Sequence, residues 1–253
     1  MPARQIADDV WVVGGPAGPE LTSEFDGLQY LLWDGSAGVL IDAGTGLGAD
    51  AWLSNVAEVC GDAVPFGVLV SHYHADHAGG AAAAVRAGID VYGHELTVAA
   101  LETGDEDVTQ VDRARRAGIY PASYRLESVR GVRTLPDAAV LEFGSLTVTA
   151  LTAPGHCDGH LVFLADVDGR RSLFSGDVIF AGGMVSMQAI PDCRLDSYAD
   201  TVRGLAELDV DALFPGHGAP VLSGAATDIG RADASFRRLI PPPNLLQADW
   251  ITD

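Results

Sequence analysis

The 253-residue chain contains no lysine, and all fifteen of its basic residues are Arg. A Schiff-base lysine mechanism is thereby excluded. Positive charge is scarce beside the 35 Asp and Glu, and the formal net charge is -20. Such a surface repels phosphate backbones, so nucleic acid is not an expected partner. Cysteine is scarce as well. Cys60, Cys157 and Cys193 form an odd count without repeating spacing, which argues against a disulfide framework and fits a reducing compartment. No apolar run approaches the roughly eighteen residues of a membrane span, so no membrane association is expected. The start, MPARQIADDVWVVGG, lacks a charged segment followed by an apolar core. No signal peptide is read there, and the expected location is the cytoplasm.

What is present reads as a folded protein. Hydrophobic residues make up 48% and charged residues 20%, and the length suits one domain over 1–253. Apolar runs at 10–13, 29–33, 39–41 and 67–70 are bounded by Gly, Pro and Asp, as strands are. Trp52, Val56 and Val59 share one face of a predicted helix over 49–60. An Ala-rich helix is predicted over 78–88, followed by a strand near 89–92. From 94 to 135 the chain turns polar and carries six Arg. This segment reads as an insertion of short helices and loop, either a solvated appendage or a lid. Strands resume at 139–142, 146–151, 161–165 and 172–175. A helix over 195–208, a strand over 211–214 and a helix over 225–239 complete the alternation.

Residues 71–80 read SHYHADHAGG. They place His72, His74, Asp76 and His77 within six positions, directly after an apolar strand. A strand end that turns aims such side chains at one point, and imidazole with carboxylate is a donor set for zinc and similar ions. Other predicted strand ends supply more: His156 in APGHCDGH, Asp177 in FSGDVIF and His217 in FPGHG. Each stands near Gly, where the backbone bends sharply.

These segments, together with VLIDAG at 39–44, resemble the metallo-β-lactamase fold superfamily in the family's order, from about Val10 to Gly218. The resemblance implies an αββα sandwich of two mixed β-sheets flanked by helices, with two divalent ions at one edge. It implies that His72, His74 and His156 hold the first ion, that Asp76, His77 and His217 hold the second, and that Asp177 bridges them. Zinc is the default, with iron and manganese as alternatives. Asp42 is expected to orient the ligand turn, and His160 to orient or pack. His94 is expected at a helix start or on the surface, and Cys157 as a buried, inert thiol.

Two ions that share a water generate a hydroxide nucleophile near neutral pH, so no Ser or Cys nucleophile is needed. Asp76 and Asp177 are candidate proton carriers as well as ligands. The ligand set resembles glyoxalase II-type hydrolases and lactonases, which points to a small ester, lactone or thioester as the small-molecule substrate. The alternatives are an iron persulfide dioxygenase-like oxidoreductase and β-lactamase activity. A glutathione carrier would call for cations that a lysine-free chain supplies sparingly. Tyr73, Phe180, Met184 and Met187 are candidate pocket residues, with Tyr120 and Tyr124 reaching over from the inserted segment. A homo-oligomer is left open.

Overall fold

The computed structural model describes residues 3–16 and 22–245. Seven strands form the first sheet, in chain order across it: β1 (Arg4–Ala7), β2 (Val10–Gly14), β3 (Gln29–Trp33), β4 (Gly38–Ile41), β5 (Gly67–Leu69), β6 (Asp90–Gly93) and β7 (Arg133–Thr134). The β1–β4 part is antiparallel and the β4–β7 part parallel. The second sheet has the order β12-β11-β10-β9-β8. Its strands are β8 (Ala139–Phe143), β9 (Leu146–Thr152), β10 (Leu161–Val167), β11 (Arg170–Gly176) and β12 (Ala212–Pro215), with only the β11–β12 pair parallel.

Side-chain alternation along the strands builds the layers. Tyr30 and Leu32 of β3 face Phe163, Phe174 and Phe214 of the second sheet. Leu31 and Trp33 face the other way, onto Trp52 and Val56 of α1 (Ala49–Cys60). The outer face of the second sheet, with Val162, Leu173 and Leu213, is covered by Tyr198 and Val202 of α6 (Leu195–Ala206) and by Ile229 and Phe236 of α7 (Ala225–Arg237). The result is helix, sheet, sheet, helix, the αββα sandwich of two mixed sheets.

Differences from the predicted elements have local causes. The Ala-rich helix is split into α2 (Ala75–Ala78) and α3 (Ala81–Arg86). At the break Gly79 and Gly80 lie against the carbonyls of Thr45 and Ala43, and a Cβ there would sit 2.5 and 2.1 Å from those oxygens. Strands β1 and β7 escape the pattern because one is polar and the other has two residues. The inserted segment holds α4 (Glu95–Thr103), α5 (Val111–Arg116) and β7. His94 caps α4, its Nδ1 accepting from the Leu96 N–H at 3.2 Å. Among the described residues no helix is long and apolar enough to cross a membrane.

Candidate metal centre

The ends of β4, β5, β9, β11 and β12 converge on one edge of the sandwich, and each delivers a polar side chain at its turn. From β5 come His72, His74, Asp76 and His77; from β9 His156; from β11 Asp177; from β12 His217. The structure brings all seven together in three overlapping groups whose ligand atoms lie within 4.8 Å of one another: His72, His74 and His156; His72, His77 and Asp177; and Asp76, His77 and His217. Asp177 spans the groups. Its Oδ1 is 3.4 Å from His77 Nε2 and 3.5 Å from His217 Nε2, while Oδ2 is 3.7 Å from His156 Nε2.

The donors fit a metal on their own geometry. His74 Nδ1 and His156 Nε2 face each other at 3.0 Å, and His77 Nε2 and His217 Nε2 at 3.3 Å. His72 Nε2 and Asp177 Oδ1 are buried with no hydrogen-bond partner among the described residues. Buried polar atoms left this way are costly unless something positive joins them, and nitrogen with carboxylate oxygen is the donor set of zinc and its neighbours.

The second ring nitrogens explain how the donors are aimed. Asp42, held at φ +63°, accepts from His77 Nδ1 at 2.7 Å and from the Ser71 N–H and hydroxyl at 2.7 and 2.9 Å. His72 Nδ1 in turn meets Ser71 Oγ at 3.0 Å. One carboxylate therefore orients two imidazoles, the second through Ser71. His156 Nδ1 donates to Ser186 O at 2.7 Å. His160, fully buried, accepts the Asp177 N–H at 3.1 Å through Nε2 and stacks on His72 with centroids 4.6 Å apart. Cys157 is buried, and burial pushes its thiol well up, so it is not a thiolate.

A further orienting residue, Tyr198, is not among those the sequence singles out. Its hydroxyl lies 2.8 Å from Asp177 O, 2.6 Å from Val178 O and 3.1 Å from the Ser186 N–H. It thus ties the Asp177 turn to the residue whose carbonyl orients His156. Gly155 packs on it, and a Cβ there would stand 2.5 Å from Tyr198 Cα. In sequence Tyr198 is one more buried position of an amphipathic helix, and no motif marks it. Tyr198→Phe keeps the ring and removes this tie. Metal affinity is expected to fall about 10–100-fold, the usual cost of losing an orienting partner, with a stability loss of about 1 kcal/mol. Equilibrium metal titration beside thermal melting checks this. A melting shift with unchanged affinity would reject the orienting role.

Charge divides the site into two halves. Burial, then neighbouring imidazoles, push His72 well below the ordinary range, and His74 to about 3. Burial lowers His156 too, so these three are neutral, the ligating form. Burial also acts on His77, but Asp76, Asp177 and Asp42 overcome it and raise it well above normal. His217 is raised against burial, chiefly by Asp177. Burial would raise Asp76, yet His77 and His217 hold it to about 2, and Asp177 is likewise held well below normal by His217 and His77. Ligands bind in their deprotonated forms, so an ion entering the Asp76–His77–His217 half must displace protons. Its affinity is expected to rise with pH until the raised His77 and His217 values are passed, and then to level. Titration calorimetry in buffers of different ionisation heat would detect the protons. Affinity flat across neutral pH, with none released, would contradict this charge assignment.

Beside these groups lies a cleft of about 620 Å3. His74, Asp76, Asp177 and His217 form one wall, and Ala114, Ile119, Tyr120, Met184 and Leu245 supply apolar surface. No Arg is among its described lining residues. The inserted segment is therefore a wall of the cleft. The other expected pocket residues lie elsewhere. Phe180 is 1% exposed and pairs with Met184 across the 181–183 turn, so that Met184 reaches the cleft and Phe180 the interior. Met187 packs against the core under α6 and α7. Tyr73 is buried, its hydroxyl donating to Asp192, and its ring faces a different cavity. Tyr124 is buried and donates to Thr45 O at 2.7 Å.

Residues 23–217 match the family described as Metallo-beta-lactamase superfamily. Among curated proteins, the acyl-coenzyme A thioesterase MBLAC2 of Bos taurus is 32% identical over 60% of this chain and 56% of its own length. The Homo sapiens protein of that name is 31% identical over 71% and 68%. The match thus spans little more than half of the bovine relative. A hydroxyacylglutathione hydrolase of Cupriavidus taiwanensis is 26% identical over 89% of this chain and 71% of that one. Among solved structures, the metallo-β-lactamase GOB-18 of Elizabethkingia meningoseptica aligns with a TM-score of 0.69 at 18% identity, covering 94% of this chain and 90% of that one. That last likeness concerns the fold.

Proposed function

Because the chain belongs to the metallo-β-lactamase superfamily, we propose that it is a dinuclear metal-dependent hydrolase of uncharged acyl esters and thioesters. The observation that carries this reading is Asp177, whose two oxygens face the two halves of the site. The thioesterase and hydroxyacylglutathione hydrolase names of the curated relatives support the bond class. The apolar wall of the cleft, without Arg among its described residues, supports an uncharged acyl group.

His72, His74 and His156 would hold one ion, Asp76, His77 and His217 the other, and Asp177 both. When bound, such ions, zinc by default with iron or manganese as alternatives, supply a water of lowered pKa as nucleophile and a Lewis acid for the carbonyl. The chain's own groups do the rest. Asp42 and Ser71 fix the imidazole tautomers. Ile119, Tyr120 and Met184 would border the space beside the scissile bond. Asp76, which is partly exposed to the cleft with Oδ2 3.1 Å from His217 Nε2, would be a ligand and the chain's candidate for relaying a proton to the leaving atom. A thiolate leaving group asks little of that donor.

Protein purified without chelator is expected to carry about two ions per chain, since seven donors exceed one four-coordinate site. At fixed loading, neutral esters, lactones and simple thioesters should have higher kcat/KM than S-lactoylglutathione, penicillins or carbapenems, whose carboxylates need positioned cations. Side-by-side kinetics with elemental analysis test both points. Full activity with one ion or none would reject the dinuclear reading. A tenfold preference for S-lactoylglutathione or a β-lactam would reject the substrate reading.

A further inference from the structure

A larger hollow than the reacting cleft lies beyond Tyr73 and Gln110, with a volume of about 740 Å3. That is within the range of small-molecule sites, roughly 300–1,000 Å3. Its lining is apolar along Leu96 and Ala99 of α4, Val108, Pro191 and the Tyr73 ring. Leu96 and Val108 are 41% and 38% exposed, so two aliphatic side chains face a concave, solvent-filled surface. Tyr73 is fixed from both sides. Its hydroxyl donates to Asp192, and its ring meets that of His74 with centroids 5.6 Å apart. The cavity therefore backs directly onto a residue of the metal centre.

Two features border both the cavity and the cleft. Gln110 lines both. The loop after β11 also lines both, with Met184, Ser186 and Gln188 on the cleft and Pro191 and Asp192 on the cavity. Between these two stretches Arg113 Nη1 donates to Ala189 O at 2.6 Å, tying α5 to that loop at the boundary.

The rim discriminates between the two ends of an ester or thioester. Asp105, Asp107, Asp158 and Asp192 stand against Arg113 and Arg116. Arg113 is engaged by Ala189 O, Arg116 pairs with Asp112, and Asp158 pairs with Arg194 at 2.6 Å, which leaves Asp105, Asp107 and Asp192 as the acidic excess. A phosphorylated or carboxylate-bearing leaving group would meet net negative charge there. An uncharged chain would meet methyl groups and an aromatic face, gaining about threefold or more in binding per methylene buried.

We propose that this second cavity takes the apolar acyl chain of the substrate while the carbonyl sits in the metal cleft, which makes the protein selective for medium-length acyl groups. The assignment rests on the hydrolase reading above, and the experiment separates the two. Acetyl, butyryl, hexanoyl and octanoyl esters of one uncharged alcohol are compared by kcat/KM in the metal-loaded full chain. The expected profile rises at least tenfold from acetyl to octanoyl. Ala99→Trp fills the cavity from an exposed helix position and should flatten the profile. Val108→Asp should flatten it by adding charge. Val140→Ser, on the exposed face of β8, should keep the slope of the unaltered protein. A flat profile in the unaltered protein, or a rising one that neither variant changes, overturns the acyl assignment while leaving the hydrolase reading intact. If no ester is turned over, that reading fails instead, and octanamide binding by calorimetry decides the cavity. Binding that is lost in Ala99→Trp upholds an apolar-chain site there, and no binding overturns it.

Discussion

Asp177→Asn is expected to lower kcat/KM by roughly 10²–10⁴-fold, the range seen when a group that holds charge at the reacting centre is removed. The effect should be confined to the metal centre. Asp177 donates its N–H to His160, and its carbonyl oxygen meets the Tyr198 hydroxyl. Neither contact uses the side chain, so the backbone stays placed when the carboxylate becomes an amide. What changes is charge. Asp177 is the residue whose oxygens face both the His156 and the His77–His217 sides. A neutral amide offers one weaker oxygen where two were available. His77 and His217 also lose a main source of their raised pKa. Metal content should fall toward one ion per chain, while far-ultraviolet dichroism is unchanged. An Asn variant with two tightly held ions and near-native turnover would remove Asp177 from the bridging position.

The residues that hold this site were legible for a chemical reason. Imidazoles and carboxylates at His72, His74, Asp76 and His77 crowd one turn after an apolar strand, and few structural needs call for that. The strands themselves were legible because those buried on both faces, such as Gln29–Trp33 and Gly38–Ile41, are nearly continuous apolar runs, whereas their layering as a sandwich came from the family resemblance. The orienting layer was only half legible. Asp42 and Ser71 stand in motifs, but Ser186 and Tyr198 are ordinary residues whose roles depend on where distant segments meet. The pocket was the least legible part. Residues 177–190 form irregular chain, where neither a period of two nor of 3.6 tells which way a side chain points. Phe180, Met184 and Met187 look equivalent in sequence, yet only Met184 lines the cleft. Tyr73 lies between two ligand positions and still faces away from the cleft.

The same dependence on distant segments makes Gly216→Ala the second large expected effect. A Cβ at Gly216 would stand 2.5 Å from His77 Cε1 and 2.7 Å from Asp177 Oδ1, closer than real Cβ contacts come. The backbone cannot yield easily. The Gly216 N–H donates to Gly176 O at 2.8 Å, its carbonyl accepts from the Leu28 N–H at 2.7 Å, and Tyr30 donates to Pro215 O at 2.7 Å. These bonds pin the β12 turn to both sheets. Nor can His77 retreat freely, because Gly27 closes its other side, where a Cβ would be 2.8 Å from the same ring carbon. The added methyl must therefore displace the imidazole or the Asp177 carboxylate, the two groups that link the halves of the site. Loss of about 10²-fold or more in kcat/KM is expected, as for misplacement of catalytic groups by about 1 Å. The stability loss should be about 1–3 kcal/mol, typical of overpacking. Kinetics at saturating metal and a chemical denaturation curve measure the two effects. Gly218→Ala, two residues on, supplies the contrast. It has φ +76° and nothing within 4 Å of its Cβ position, so its cost is backbone strain alone. If Gly216→Ala were no worse than Gly218→Ala in metal affinity and turnover, the close contact with His77 and Asp177 would not be what keeps position 216 free of a side chain.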